Sequence, residues 1–212
     1  MKTSTKTLWD RVGGLSNPSK MPGWSYGIPA AECIVGSLLR KIEGSVCSKC
    51  YAHKGMYGFP AVQAAQRRRF DILSADLESW KVGMRDLIER KYARKTGDDR
   101  VFRWHDSGDI QSLDHLESIV WIAEQLPDIA FWLPTKEYGI VRKYGKAFPD
   151  NLVVRVSAPK IGKTADLPAG TVGSTVGADT GFQCEAYSRG GECGPCRACW
   201  KKDVRWVNYP KH

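Results

Sequence analysis

The chain has 212 residues, 42% of them hydrophobic and 26% charged, and a formal net charge of +9. This is a globular composition of a length that fits one domain with a sizeable core, and no apolar stretch approaches membrane-spanning length. The basic balance favours anionic partners such as nucleic acid, nucleotide or phosphate, although charge speaks to association rather than to fold.

The N-terminal stretch Met1 to Trp9 is polar and carries no secretory pattern, so the expected setting is a reducing, bacterial-type cytoplasm. Residues 10–32 are rich in Gly, Pro and Ser and read as irregular loop. From Pro60 the pattern turns helical: Phe70, Leu73, Leu77, Trp80, Met84 and Leu87 recur at three- and four-residue steps, the period of a buried stripe. This stretch carries the basic runs Arg67 to Arg69 and Arg90 to Lys95, read as a solvated face or as a nucleic-acid surface.

Val101 to His105 reads as a strand, and Ser112 as the cap of a helix with Leu113, Leu116, Val120 and Ala123 on one face, stopped at Leu126-Pro127. Ile129 to Leu133 reads as a second strand, Thr135 to Lys146 as a shorter helix, Leu152 to Val156 as a third strand and Thr171 to Val176 as a fourth. Strands alternating with helices imply a parallel sheet. The expected fold is therefore α/β, an incomplete TIM-barrel-like core at 60–177. Irregular cysteine-bearing segments flank it at 1–59 and 178–212. Phe131, Trp104 and Trp132 are expected in the core, with Trp200, Trp206 and Tyr209 packing the tail over the sheet.

Seven cysteines fall in two groups with none between. Cys184, Cys193, Cys196 and Cys199 end in Cys-x2-Cys-x2-Cys, the spacing of thiolates that grip one [4Fe-4S] cluster, with Cys184 as the remote fourth ligand. Zinc held by four cysteines is the alternative. Cys33, Cys47 and Cys50 are three; on a four-iron cluster they leave one iron open to a ligand. Alternatives here are a zinc site completed by His53, or one shared site that joins Cys47 and Cys50 to a C-terminal pair. Disulfides fit poorly with an odd count and a reducing compartment.

Parallel sheets carry chemistry at the carboxyl ends of their strands. Those ends here are polar, and one rim would gather His105, Asp106, Asp109, Lys136, Glu137 and Lys160, with His105 or Asp109 able to move a proton. Ser107, Gly108, Thr135 and Ser157 are the candidates for holding a cofactor or small-molecule ligand. Turn and helix-start chemistry is the competing explanation for Ser107 to Asp109, Lys136 and Glu137. Walker, dinucleotide-binding, zincin and nucleophile-elbow motifs are absent from the sequence.

Gly44 to Ala52, Phe102 to Ser112, Phe131 to Glu137 and Cys196 to Trp200, in that order, resemble the phage protein family called gene product 88, over about Pro22 to the C-terminus. The resemblance implies a phage-encoded protein in a bacterial host and brings no reaction with it. More distantly, three cysteines ahead of a parallel sheet are similar to radical S-adenosylmethionine enzymes, which implies a reactive [4Fe-4S] cluster, S-adenosylmethionine as cofactor, a reductant as partner and an auxiliary cluster on the tail. The chain departs from that pattern by thirteen residues between Cys33 and Cys47, where those enzymes have three, and by lacking a Gly-Gly-Glu segment. The competing expectation is a non-enzymatic nucleic-acid or host-protein binder whose metal only fixes the fold.

Overall fold

The computed structural model describes residues 3–211; Met1 and Lys2, the start of the polar N-terminal stretch, lie outside the described residues. In chain order the elements are α1 (Thr5–Val12), β1 (Trp24–Tyr26), α2 (Ile34–Leu39), α3 (Pro60–Ala75), α4 (Leu77–Tyr92), β2 (Val101–Trp104), α5 (Leu113–Gln125) and β3 (Ala130–Thr135). Then follow α6 (Tyr138–Tyr144), β4 (Leu152–Ser157), β5 (Val172–Val176), β6 (Phe182–Gln183) and β7 (Trp206–Tyr209). The strands form one seven-stranded, all-parallel sheet in the order β1-β2-β3-β4-β5-β7-β6. The pairings run as an open series from β1 to β6, with no pairing among the described residues that joins these two edges into a barrel.

Alternation along the strands sorts their side chains between two different layers. Phe102 and Trp104 of β2, Phe131 and Leu133 of β3, and Leu152 and Val154 of β4 join the large core under the helices, with Leu8, Trp80, Leu87, Leu116 and Val141. On the opposite face Val101 and Trp132 pack with Trp200, Met21, Cys199 and Tyr209, so the C-terminal segment covers that side. The sheet is thus buried on both faces, as a parallel sheet requires.

The helical stretch expected from Pro60 is two helices. Asp76 leaves helical geometry (φ −153°, ψ 88°) and its carboxylate accepts from Ser79 N at 2.9 Å, capping α4. The break lets Leu73 and Trp80 reach one core from two axes. The N-terminal stretch also forms a helix, α1, capped by Ser4, with Leu8 and Val12 buried. Within residues 10–32, read as loop, β1 pairs with β2 and forms an edge of the sheet. Ser112 caps α5 as expected, accepting from His115 N at 3.0 Å.

The basic runs are largely engaged within the molecule. Arg67 pairs with Glu32 at 2.7 Å, and Arg68 donates to Gly13 O at 3.1 Å. Arg69 is buried and donates to Ser16 Oγ at 2.9 Å while lying over the Tyr26 ring. Arg90 binds Thr3 O, and Lys91 sits 4.4 Å from the centroid of the Trp24 ring. These contacts fasten α3 and α4 to the N-terminal segment.

Asp76→Ala removes the cap between α3 and α4 and is expected to lower stability by about 1 kcal/mol. Urea denaturation of variant and wild type measures this, and an unchanged midpoint would show that the α3–α4 break is held by packing alone.

Candidate functional site

The segment with Cys33, Cys47 and Cys50 is tied in turn to the carboxyl ends of three neighbouring strands. After β3, the Glu137 carboxylate accepts from Ile34 N at 3.1 Å and Val35 N at 3.0 Å, the free N–H groups at the start of α2, next to Cys33. After β4, Val46 N donates to Pro159 O at 3.0 Å, Ile161 N donates to Gly44 O at 3.1 Å, and Ser45 bridges Lys160. After β2, Tyr51 Oη at 2.7 Å and Tyr57 Oη at 3.2 Å both donate to Asp106 O.

Gly36 of α2 lies beside two of these cysteines. A Cβ there would lie 2.9 Å from Cys33 Cβ, 3.5 Å from Cys33 Sγ and 3.8 Å from Cys47 Sγ. Burial pushes the Cys33 thiol up, and the carboxylate of Asp109 and the thiols of Cys50 and Cys47 push it further. Burial also raises Cys47, against the pull of the Lys136 ammonium. The strand-end carboxyls and the three cysteines therefore share one electrostatic neighbourhood.

Within that neighbourhood the expected rim residues have distinct placements. Asp109 is buried and accepts from Lys136 N and Ile110 N, both at 2.8 Å; burial raises its carboxyl while those N–H groups oppose the shift. Burial, and then Asp109, push Glu137 up to about 7. Thr135 Oγ1 accepts from Glu137 N at 3.0 Å, and Ser157 receives the Tyr138 hydroxyl on its carbonyl and the Ser174 hydroxyl on Oγ at 3.1 Å. Gly108 has φ 76°, and an added Cβ would lie 2.3 Å from Ile28 Cγ1, so this glycine serves close packing of the β2 end. Ser107 O accepts from Ile28 N at 3.0 Å in the same contact.

His105 takes a different position from Asp109 and Glu137. Its backbone is left-handed (φ 51°), and its buried ring stands against His115 of α5 at 5.4 Å, with neither ring nitrogen hydrogen-bonded. Burial first, then His115, hold His105 well below the usual imidazole range. Burial brings His115 down to about 3. The two rings are neutral, buried neighbours of Trp80 and Trp104 in the helix-side layer. His53, the suggested fourth ligand beside Cys50, is instead within 3.3 Å of the Arg40 guanidinium through both ring nitrogens.

The second cysteine group lies in the C-terminal segment. Cys184, Cys193, Cys196 and Cys199 all line one cavity with Phe182, Trp200 and Val207; it encloses about 20 Å³, room for one water-sized occupant as it stands. Cys184 is fixed through its N–H to Asn208 O at 2.9 Å, and Cys193 through its N–H to Lys20 O at 2.9 Å. Cys199 Sγ is 3.3 Å from Tyr209 Oη of β7. Burial pushes the Cys199 thiol up to about 11. Among the described residues no group of three or more His, Cys, Asp or Glu is already drawn together to hold a single metal ion.

Sequence reasoning missed the side chains that connect these parts. Arg103 Nη2 donates to Tyr51 Oη at 3.0 Å, and its guanidinium lies 4.5 Å over the Trp132 ring. Arg155, fully buried, donates to Gly173 O, Val204 O, Ala198 O and Lys201 O at 2.7–3.3 Å. Their signal was present: a charged residue inside a strand whose other positions are apolar.

The lowered His115 fixes the sign of one pH effect. Its neutral form stabilises the fold fully above about pH 6.5, and that stability is lost as pH falls toward 3. His115→Asn keeps an acceptor for Gln111 N and removes the titration. The stability gap between wild type and variant, from denaturation at a series of pH values, is expected to narrow as pH falls through this window. A gap independent of pH would contradict the assignment.

No curated protein and no solved structure matches this chain. No helix among the described residues is long and apolar enough to cross a membrane. The chain does match the family of gene product 88 over residues 2–202, which takes in α1 and β1 as well as both cysteine groups, and it therefore belongs to the gene product 88 family.

Proposed function

We propose that this phage protein is an iron–sulfur protein with two cysteine-ligated sites, and that the site at the strand ends is the reactive one. Cys33, Cys47 and Cys50 would hold a [4Fe-4S] cluster with one iron open, and Cys184, Cys193, Cys196 and Cys199 a closed one. The observation that carries this reading is the fastening of the three-cysteine segment to the ends of β2, β3 and β4, where parallel sheets bind ligands. The nearness of both Cys33 Sγ and Cys47 Sγ to Gly36 supports the reading that they face one ligand group.

When bound, such a cluster supplies one-electron chemistry and an open coordination position. The chain's own contribution is orientation and charge. Glu137 holds the start of α2, and hence Cys33, against β3. Asp109 fixes the turn that presents Lys136. The Lys136 ammonium, partly exposed beside Cys47, is the group suited to the carboxylate of a small ligand such as S-adenosylmethionine. His105 is buried against His115, so a proton at the rim falls to Asp109 or Glu137.

A second reading for the C-terminal group alone is a structural zinc held by its four cysteines, which line one cavity. For the nucleic-acid reading, Arg69 is buried and unavailable to phosphate, whereas Arg67, Arg68, Arg94 and Lys95 are exposed and are the cations such a surface would use.

Iron, sulfide and zinc are measured on one anaerobic preparation. About eight irons and eight sulfides per chain are expected, falling to about four of each in the Cys33→Ala, Cys47→Ala, Cys50→Ala triple variant. Four irons with one zinc would assign zinc to the C-terminal group. Zinc without sulfide would overturn the redox proposal, and loss of all metal from the triple variant would indicate one shared site.

A further inference from the structure

The segment that carries Cys33, Cys47 and Cys50 turns its large apolar side chains outward. Among the described residues eight large hydrophobic side chains are exposed, and six of them fall within 34–59. These are Ile34, Leu38, Ile42, Tyr51, Met56 and Phe59, each 49–65% exposed. A short helix ordinarily depends on burying one apolar face, yet α2 has no buried residue, and Ile34 and Leu38, one turn apart, are both open to solvent. Arg40 Nη1 lies 3.1 Å from His53 Nε2, which brings the end of α2 against the turns that carry Tyr51, Met56 and Phe59. Apolar exposure gathered in one place marks an interaction surface, in contrast to single hydrophobic residues scattered over a molecule.

The charge around this surface indicates what covers it. Arg40, Lys41, Lys49 and Lys54 are exposed in the same segment, against the one carboxylate of Glu43. Among the described residues none of these four cations has a carboxylate oxygen within 4.0 Å, although nine such ion pairs form elsewhere. Such an excess of cations repels an identical patch on a second copy of the chain, and its complement is an apolar centre with an acidic rim. The surface is also continuous with the strand-end site: Ile34 follows Cys33, and Tyr51 follows Cys50. The inner side of the segment is bonded to the ends of β2, β3 and β4, so a partner seated on the outer side lies next to the cysteines. A cluster held there changes by one electron at a time and needs a donor able to approach it. Six side chains make a small surface, which fits a transient redox encounter better than a permanent assembly.

We propose that residues 34–59 form the docking surface for a small acidic electron-carrier protein, whose reduced flavin or iron–sulfur centre passes one electron to the cluster at Cys33, Cys47 and Cys50. The carrier is oxidised and the cluster reduced by that one electron, and no covalent bond is made or broken. This rests on the reading of the three cysteines as ligands of a [4Fe-4S] cluster.

The test uses the full-length protein, prepared anaerobically, with iron and sulfide measured on the same sample. Two acidic probes, a flavodoxin and a plant-type ferredoxin, are titrated against it, with binding read by calorimetry and cluster reduction by stopped-flow absorbance. Binding of at least one carrier is expected, weakening as ionic strength rises. Leu38→Glu with Met56→Glu, and separately Lys49→Glu with Lys54→Glu, are each expected to cut affinity and the second-order reduction rate about tenfold. All four side chains are exposed, so iron and sulfide stay at the wild-type level. Arg94→Glu with Lys95→Glu, on exposed cations outside the segment, is expected to leave binding and reduction unchanged. A cluster-bearing protein that binds neither carrier would overturn the inference alone, as would an equal loss in the Arg94, Lys95 variant, which would assign unspecific charge attraction. A wild-type dimer in sedimentation that Leu38→Glu with Met56→Glu dissolves would assign the surface to a second copy and overturn it too. Iron and sulfide unchanged in the Cys33→Ala, Cys47→Ala, Cys50→Ala triple variant would overturn the cluster reading and the inference with it.

Discussion

The guanidinium of Arg155 joins the sheet to everything laid over its second face. From the middle of β4 it reaches Gly173 O on β5 and three carbonyls of the tail, at Ala198, Lys201 and Val204. A parallel sheet must be covered on both sides, and the helices supply only one cover. The other is a segment with little regular structure of its own. Its backbone carbonyls need donors, and a buried arginine with a planar fork supplies several at once. With the tail so held, Trp200 packs against Trp132 and donates to Phe102 O at 2.9 Å, and the four cysteines line a common cavity.

The other end of the sheet follows the same logic from the strands' side. Strand ends leave backbone and polar groups that need partners, and here the N-terminal cysteine segment satisfies them: Glu137 with α2, Asp106 O with Tyr51 and Tyr57, Pro159 O with Val46. Arg103 stands between the two cysteine groups, touching Tyr51 after Cys50 and neighbouring Tyr209, which contacts Cys199. One strand residue thereby links the two regions where the chain concentrates its sulfur.

The parts legible in the sequence are those whose patterns are dense. The apolar runs of β3 and β4 and the Ser112 cap of α5 are read directly, because each is decided by neighbours in the chain. β1, β6 and β7 are short and lie among glycines and tail residues, and their pairing is set by long-range contacts that no local pattern carries. The helical stripe from Phe70 to Leu87 is continuous in sequence, yet Asp76 divides it, because a capping carboxylate there outweighs periodicity. The run Arg67 to Arg69 looked uniform, and the fold gives its members an ion pair, a carbonyl and a buried slot. At the candidate site, Asp109 and Glu137 fall beside the cysteines, whereas His105 turns into the helical layer through a left-handed backbone that its residue type does not announce.

The central claim is that the two cysteine groups form two separate metal sites on one sheet, one at the strand ends and one under the tail. Anomalous diffraction from anaerobically grown crystals, with data collected at the iron and zinc edges, tests this most directly. The account predicts one iron peak bounded by Cys33, Cys47 and Cys50 and a second, distinct metal peak within Cys184, Cys193, Cys196 and Cys199. A single peak shared by Cys47 and Cys50 with a C-terminal pair, or no iron at the strand ends, would contradict it.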